Sequence, residues 1–301
     1  MTPFAALKQR EARLPQGVVR YRELGTGEPI VLVHGLLVNS YLWADVVEPL
    51  AKDFRVIAPD LPLGSHTQPL DPGADLSPKG LAKLISDFLA ALDLKGVTLV
   101  GNDTGGALCQ LTAIHYGERV GRLVLTPCDC YEHFPPAAFV PLLSLGRIPG
   151  AIWALGNLMR PRFAQRLPIA YGWLSKKPID DSVMRSFLRP VQTDRRIRRE
   201  VATIMLGIHK RDTLEAAAQF GSFDKPVLIA WAPEVHFFKF RSAERLARDF
   251  PNARLERIED SLTFVSVDQP RRLAELIAGF PREPVGAATQ SGWTGRRAGP
   301  R

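Results

Sequence analysis

The stretch LVGNDTGGAL, Leu99 to Leu108, decides the fold. It enters as the end of a continuous apolar run, bends on small residues and leaves as the start of a helix. Gly101-Asn102-Asp103-Thr104-Gly105 fits the order small-x-nucleophile-x-small. A strand that turns abruptly into a helix holds its apex side chain strained and exposed, and so tight a bend needs small residues on both sides. The helix N-terminus behind the apex favours an anion there. Asp103 is therefore expected to be a stabilised carboxylate with one open face, and not merely a helix cap.

Outward from this bend, strand and helix signals alternate. GVVRYREL, from Gly17, alternates apolar and polar residues as an edge strand with one wet face should. PIVLVHG, RVIAPDLPLG, GVTLVG and GRLVLTP are short apolar runs stopped by Gly or Pro, which suits strands buried on both faces. Between them lie helical periodicities, including SPKGLAKLISDFLAALDL, with Ser77 at the N-cap position and Pro78 at the first helical position. The alternation predicts a doubly wound, mostly parallel sheet covered on both faces. It breaks at residues 131–220, where the signals are helical, and resumes at KPVLIAWAP. The expected organisation is an α/β core of residues 1–130 and 221–283, a helical cap of residues 131–220 inserted between two strands, and a disordered tail from 284 to 301.

Bulk composition agrees with a soluble enzyme-sized domain. The 301 residues are 46% hydrophobic and 23% charged, with a formal net charge of +8. The positive charge is not accompanied by a nucleic-acid-binding motif, so no nucleic-acid partner is expected. Three cysteines, with Cys128 and Cys130 two apart, point to a reducing cytoplasm, and no apolar run is long enough to span a membrane. No cofactor or metal is expected.

These motifs together resemble the α/β-hydrolase superfamily, in the branch with an aspartate nucleophile that contains haloalkane dehalogenases and epoxide hydrolases. VLVHGLLVNSYLW resembles the family's His-Gly loop, LVGNDTGGAL its nucleophile elbow, and ERLARDFPNARLERIEDSLTFVSVDQPRRLAELIAGF its C-terminal unit. The resemblance covers roughly residues 15 to 281. It implies attack by the Asp103 carboxylate on carbon to form a covalent ester, which a histidine-activated water then hydrolyses. It also implies an oxyanion hole formed by the backbone N–H groups of Leu36 and Thr104.

The chain departs from that pattern at the base. Thr263 occupies the histidine slot and Val235 the acid slot. Asp129, at the end of the strand RLVLTPCD, stands where some dehalogenases keep their acid. His66, in PLGSH, is the first candidate for a replacement base, ahead of His133 and His236; His34 in the His-Gly pair is read as structural. The residues that would stabilise a departing halide are replaced by Thr104 and Leu36, and Tyr171 is the one tyrosine well inside the insertion that could serve an epoxide oxygen. The expectation is a hydrolase of a small apolar ester, epoxide or alkyl halide acting through Asp103. The alternative is a catalytically impaired protein of the same fold that binds a small hydrophobic ligand.

Overall fold

A computed structural model describes residues 3–280. The tail expected at 284–301 lies outside the described residues. Eight strands form one sheet: β1 (Arg10–Leu14), β2 (Gly17–Leu24), β3 (Glu28–Val33), β4 (Phe54–Asp60), β5 (Val97–Asp103), β6 (Val120–Cys128), β7 (Val227–Trp231) and β8 (Ala253–Arg257). Their spatial order is β1-β2-β4-β3-β5-β6-β7-β8. The pairs β1–β2 and β2–β4 are antiparallel, and every later pair is parallel. The order reverses between β3 and β4, so β5 lies centrally, with β3 on one side and β6 on the other.

The apolar runs behave as expected of strands covered on both faces. Ile30, Val31, Leu32 and Val33 are fully buried, as are Leu99 and Val100 in β5. The helix Pro78–Ala91 starts where its sequence requires: the Ser77 hydroxyl accepts the N–H of Gly80 at 3.1 Å, and Pro78 loses no hydrogen bond in the first turn.

One expectation about the sheet is corrected. GVVRYREL is not the edge; it pairs on both sides, and β1 closes the sheet instead. Only Ala12 and Leu14 of β1 turn inward, while Arg10, Glu11 and Arg13 face solvent. So short and charged a strand carries little periodic signal, and its charges keep the sheet edge from pairing further.

Between β6 and β7 the chain forms short helices, of which the longest are Asp181–Thr193 and Arg195–Gly207. Two buried polar clusters tie this helical insert to the α/β core. Asp268 accepts from the Ser175 hydroxyl at 2.8 Å and from the backbone N–H groups of Lys176, Lys177 and Leu262 at 3.1, 2.9 and 2.9 Å. Glu200 of the helix Arg195–Gly207 accepts from His66 Nε2 at 2.7 Å and from the Leu70 N–H at 2.9 Å. A buried carboxylate needs this number of donors to offset its lost hydration.

Candidate active site

β5 ends at Asp103, and the helix Thr104–His115 begins at the next residue. No loop separates them, so the backbone turns within one residue, and Asp103 sits at φ 54°, ψ −135°. That left-handed-side conformation is costly for a residue with a side chain and persists only where the surroundings enforce it. The enforcement is visible in the neighbouring glycines. A Cβ on Gly105 would come within 2.3 Å of the His34 carbonyl oxygen, and one on Gly35 within 2.6 Å of Asp103 Oδ2. The His-Gly loop and the elbow are thus pressed together by the absence of two side chains.

The Asp103 carboxylate faces a cavity of about 140 Å³. That is close to the roughly 150 Å³ of an engineered apolar cavity that takes up benzene. Leu36 and Leu37 line it from the His-Gly loop. Leu142, Ile152, Met159 and Leu188 line it from the helical insert. The polar side chains at its wall are those of Asp103, Thr104, Asp129 and Tyr171.

Asp103, Thr104 and Asp129 are linked by hydrogen bonds. The backbone N–H of Thr104 donates to Asp103 Oδ1 at 2.7 Å, and its hydroxyl donates to Asp129 Oδ2 at 3.3 Å. Asp129 is 2% exposed, and its other oxygen, Oδ1, has no hydrogen-bond partner among the described residues. Tyr171 donates its hydroxyl to the Leu37 carbonyl oxygen at 2.9 Å and stacks on Phe187.

Burial in this apolar site raises the Asp103 pKa to about 6, held from rising further by the N–H and hydroxyl of Thr104. Asp129 is pushed well above the ordinary carboxylate range, first by burial and then by the Asp103 charge beside it. Each carboxyl opposes the ionisation of the other, and the upward push is stronger on Asp129, the more buried of the two.

The structure brings Leu36, Asp103, Thr104 and Asp129 together around one cavity, which Tyr171 also lines. It does not bring His66 there. His66 Nδ1 accepts the Gly64 N–H at 3.3 Å and Nε2 donates to Glu200, so both ring nitrogens are used in joining the insert to the sheet. The structure thus places the candidate base His66 off the cavity wall, as a bridge between the insert and the loop after β4. His34 likewise has both nitrogens engaged, with the Gly35 carbonyl and the Leu61 N–H, and burial lowers its pKa to about 4. His133 is half-exposed beside Glu132, and His236 stacks on Trp173; neither lines the cavity. Thr263 and Val235 are buried and also lie off the cavity wall.

Asn102 was not singled out in the sequence, yet it braces the elbow. Its Nδ2 donates to Thr126 Oγ1 at 2.9 Å, to the Pro127 carbonyl at 3.1 Å and to the Thr263 carbonyl at 2.7 Å. A side-chain amide inside an otherwise apolar run is the one signal that pointed to it. No group of His, Cys, Asp and Glu among the described residues is arranged to hold a metal ion.

Comparison with known proteins agrees with this architecture. The family described as alpha/beta hydrolase fold matches residues 28–270. The chain is 30% identical over 273 residues to haloalkane dehalogenase 2 of Mycobacterium tuberculosis, covering 87% of this chain and 91% of that one. It is 27% identical over 287 residues to a cis-3-alkyl-4-alkyloxetan-2-one decarboxylase of Shewanella oneidensis, covering 90% and 87%. The solved structure of an epoxide hydrolase, CorEH, superposes with a TM-score of 0.74 at 19% identity, covering 92% of this chain and all of that one. With its family match, its sheet order and its strand-to-helix elbow, this chain belongs to the alpha/beta hydrolase superfamily.

Proposed function

We propose that the protein is a hydrolase of small apolar molecules with an oxygen leaving group, an epoxide or ester, in which Asp103 is the nucleophile and Asp129 the acid. The observation that carries this reading is the Asp103 carboxylate, strained at φ 54° and facing an apolar cavity beside the buried Asp129 carboxyl, whose proton is held well above the ordinary carboxylate range. An alkyl halide fits less well, because no side-chain N–H lines the cavity to receive a halide.

For an epoxide, Asp103 Oδ2 first attacks a ring carbon. The carbon–oxygen bond breaks, and the released oxygen takes the Asp129 proton. Asp103 is now a neutral ester, so its charge no longer opposes ionisation of Asp129, which becomes a carboxylate base. It takes a proton from water as that water attacks Cγ of Asp103. The electron pair moves to Oδ1, which the Thr104 N–H already holds. Collapse expels the product alkoxide, which recovers the proton from Asp129. The proton left on the Asp103 carboxyl then passes to Asp129 and restores the starting pair.

Intact-protein mass spectrometry with a small apolar epoxide tests the reading. Expected are turnover by the native chain and, in Asp129→Asn, an adduct on Asp103 that forms more slowly for want of the acid and then persists for want of the base. An adduct on the native chain without turnover refutes the role of Asp129 as base. Tight binding with neither adduct nor turnover makes the protein a ligand carrier.

A second reading is favoured by the cavity wall, which holds no imidazole. A four-membered lactone is released from Asp103 without any base. Attack at its ring carbon frees the ring carboxylate. Loss of that carboxylate as carbon dioxide then forms a carbon–carbon double bond and expels Asp103 unchanged. The relative named as an oxetanone decarboxylase carries a name of this kind. Product analysis separates the readings, since hydrolysis takes up oxygen from labelled water and decarboxylation does not.

A further inference from the structure

Every exposed large apolar side chain among the described residues lies between positions 140 and 214, within or beside the helical insert. Ile148, Trp153, Leu158, Phe163, Ile169 and Trp173 are 43–74% exposed. Single exposed apolar residues are ordinary on a soluble protein, but their concentration on one segment is not.

The same segment is basic. Residues 133–179 contain no Asp or Glu and six Lys or Arg. Ile148 and Trp153 line one surface groove together with Arg147, Arg195, Arg198 and Arg199, and no carboxylate belongs to its wall. None of these four arginines makes an ion pair among the described residues; Arg198 donates instead to the Val191 and Gln192 carbonyls. Aromatic and aliphatic side chains flanked by unpaired guanidinium groups complement an interface that is apolar within and anionic at its surface.

This face also reaches the candidate active site. Ile152 lines both the arginine groove and the cavity of Asp103. Ile169 is 56% exposed and lines that cavity too. A surface covering the insert would therefore lie next to the apolar space above Asp103.

We infer that the helical insert docks on an anionic phospholipid surface, with Trp153, Leu158 and Phe163 entering the headgroup boundary and the arginine groove taking phosphate groups. The protein would then draw its apolar substrate from the lipid and not from water. This last clause rests on the proposed function; docking itself does not, and is measured without turnover.

Sedimentation of the full chain with lipid vesicles tests it. Expected is binding to vesicles of equal phosphatidylcholine and phosphatidylglycerol, little binding to phosphatidylcholine alone, and release by high salt. The paired substitution Arg147→Ala with Arg199→Ala should weaken binding about tenfold. Trp153→Ser with Phe163→Ser should abolish it, with the melting temperature of both variants showing that they fold. Absence of sedimentation with the anionic vesicles overturns the inference, as does equal binding by the folded double variants. Association of the native chain into dimers that Trp153→Ser dissolves would make a second copy the occupant and overturn it too. So would salt-sensitive binding of duplex DNA that matches the vesicle affinity and is lost in the arginine pair.

Discussion

Asp103 ends β5 and Asp129 directly follows its neighbour β6; a hydrogen bond from the Asp129 N–H to the Asp103 carbonyl oxygen at 3.4 Å joins them, and both carboxyls face one apolar cavity. Two acids in so dry a place oppose each other's ionisation. Burial raises the pKa of both, Asp129 further than Asp103, so the two are chemically unlike although both are aspartates.

Ionising Asp103 costs folding stability. Its folded pKa, about 6, lies above the ordinary carboxylate value, so the native state holds a proton that the unfolded chain has released. Stability is then greatest below about pH 4 as far as this group is concerned, and falls as pH rises to about 6. Asp103→Asn should be more stable than the native chain at pH 8, by on the order of 2–3 kcal/mol, and equal to it near pH 4. Urea midpoints at the two pH values check this; Asn also tolerates the positive φ.

In the proposed mechanism, ester formation needs Asp103 ionised and Asp129 protonated. The rate kcat/KM should rise through about pH 6 and fall again where Asp129 loses its proton, well above the ordinary carboxylate range. Asp129→Asn should lower kcat by roughly 10²- to 10⁴-fold and remove the high-pH limb. A pH–rate series on both proteins decides it.

His66→Gln should leave turnover within a few-fold while lowering stability by about 1–3 kcal/mol, because Glu200 loses a charge-assisted partner inside the joint between insert and sheet. A steep loss of activity with unchanged stability would return His66 to the reaction.

Gly35→Ala should lower activity by more than about 10²-fold, as a misplaced reacting group does. The new Cβ would stand 2.6 Å from Asp103 Oδ2, and either the carboxylate or the His-Gly loop must move. Adduct yield with an epoxide, measured on the folded variant, reports the displacement.

Asp268→Ala should cost about 3 kcal/mol or more, since it strands four donors at the contact between the insert and the C-terminal loop. Thermal unfolding of the variant reads this directly.

The local features were legible along the chain. A continuous apolar run, a bend of small residues and a helical start place Asp103 at an elbow, because steric limits on φ and on close backbone approach act over a few residues. The Ser77–Pro78 helix start was legible for the same reason. The edge strand β1 was not, since two inward residues leave almost no period.

The fate of the histidines was decided in three dimensions. His66 is 134 residues from Glu200 in sequence, and only the folding of the insert onto the sheet makes them partners. The raised proton affinity of Asp129 likewise comes from the apolar walls around it and the charge at Asp103, neither of which is a property of its sequence neighbours. Backbone geometry is a local matter that residue order can dictate; proton affinity depends on everything within several ångströms, which only the packed tertiary structure assembles.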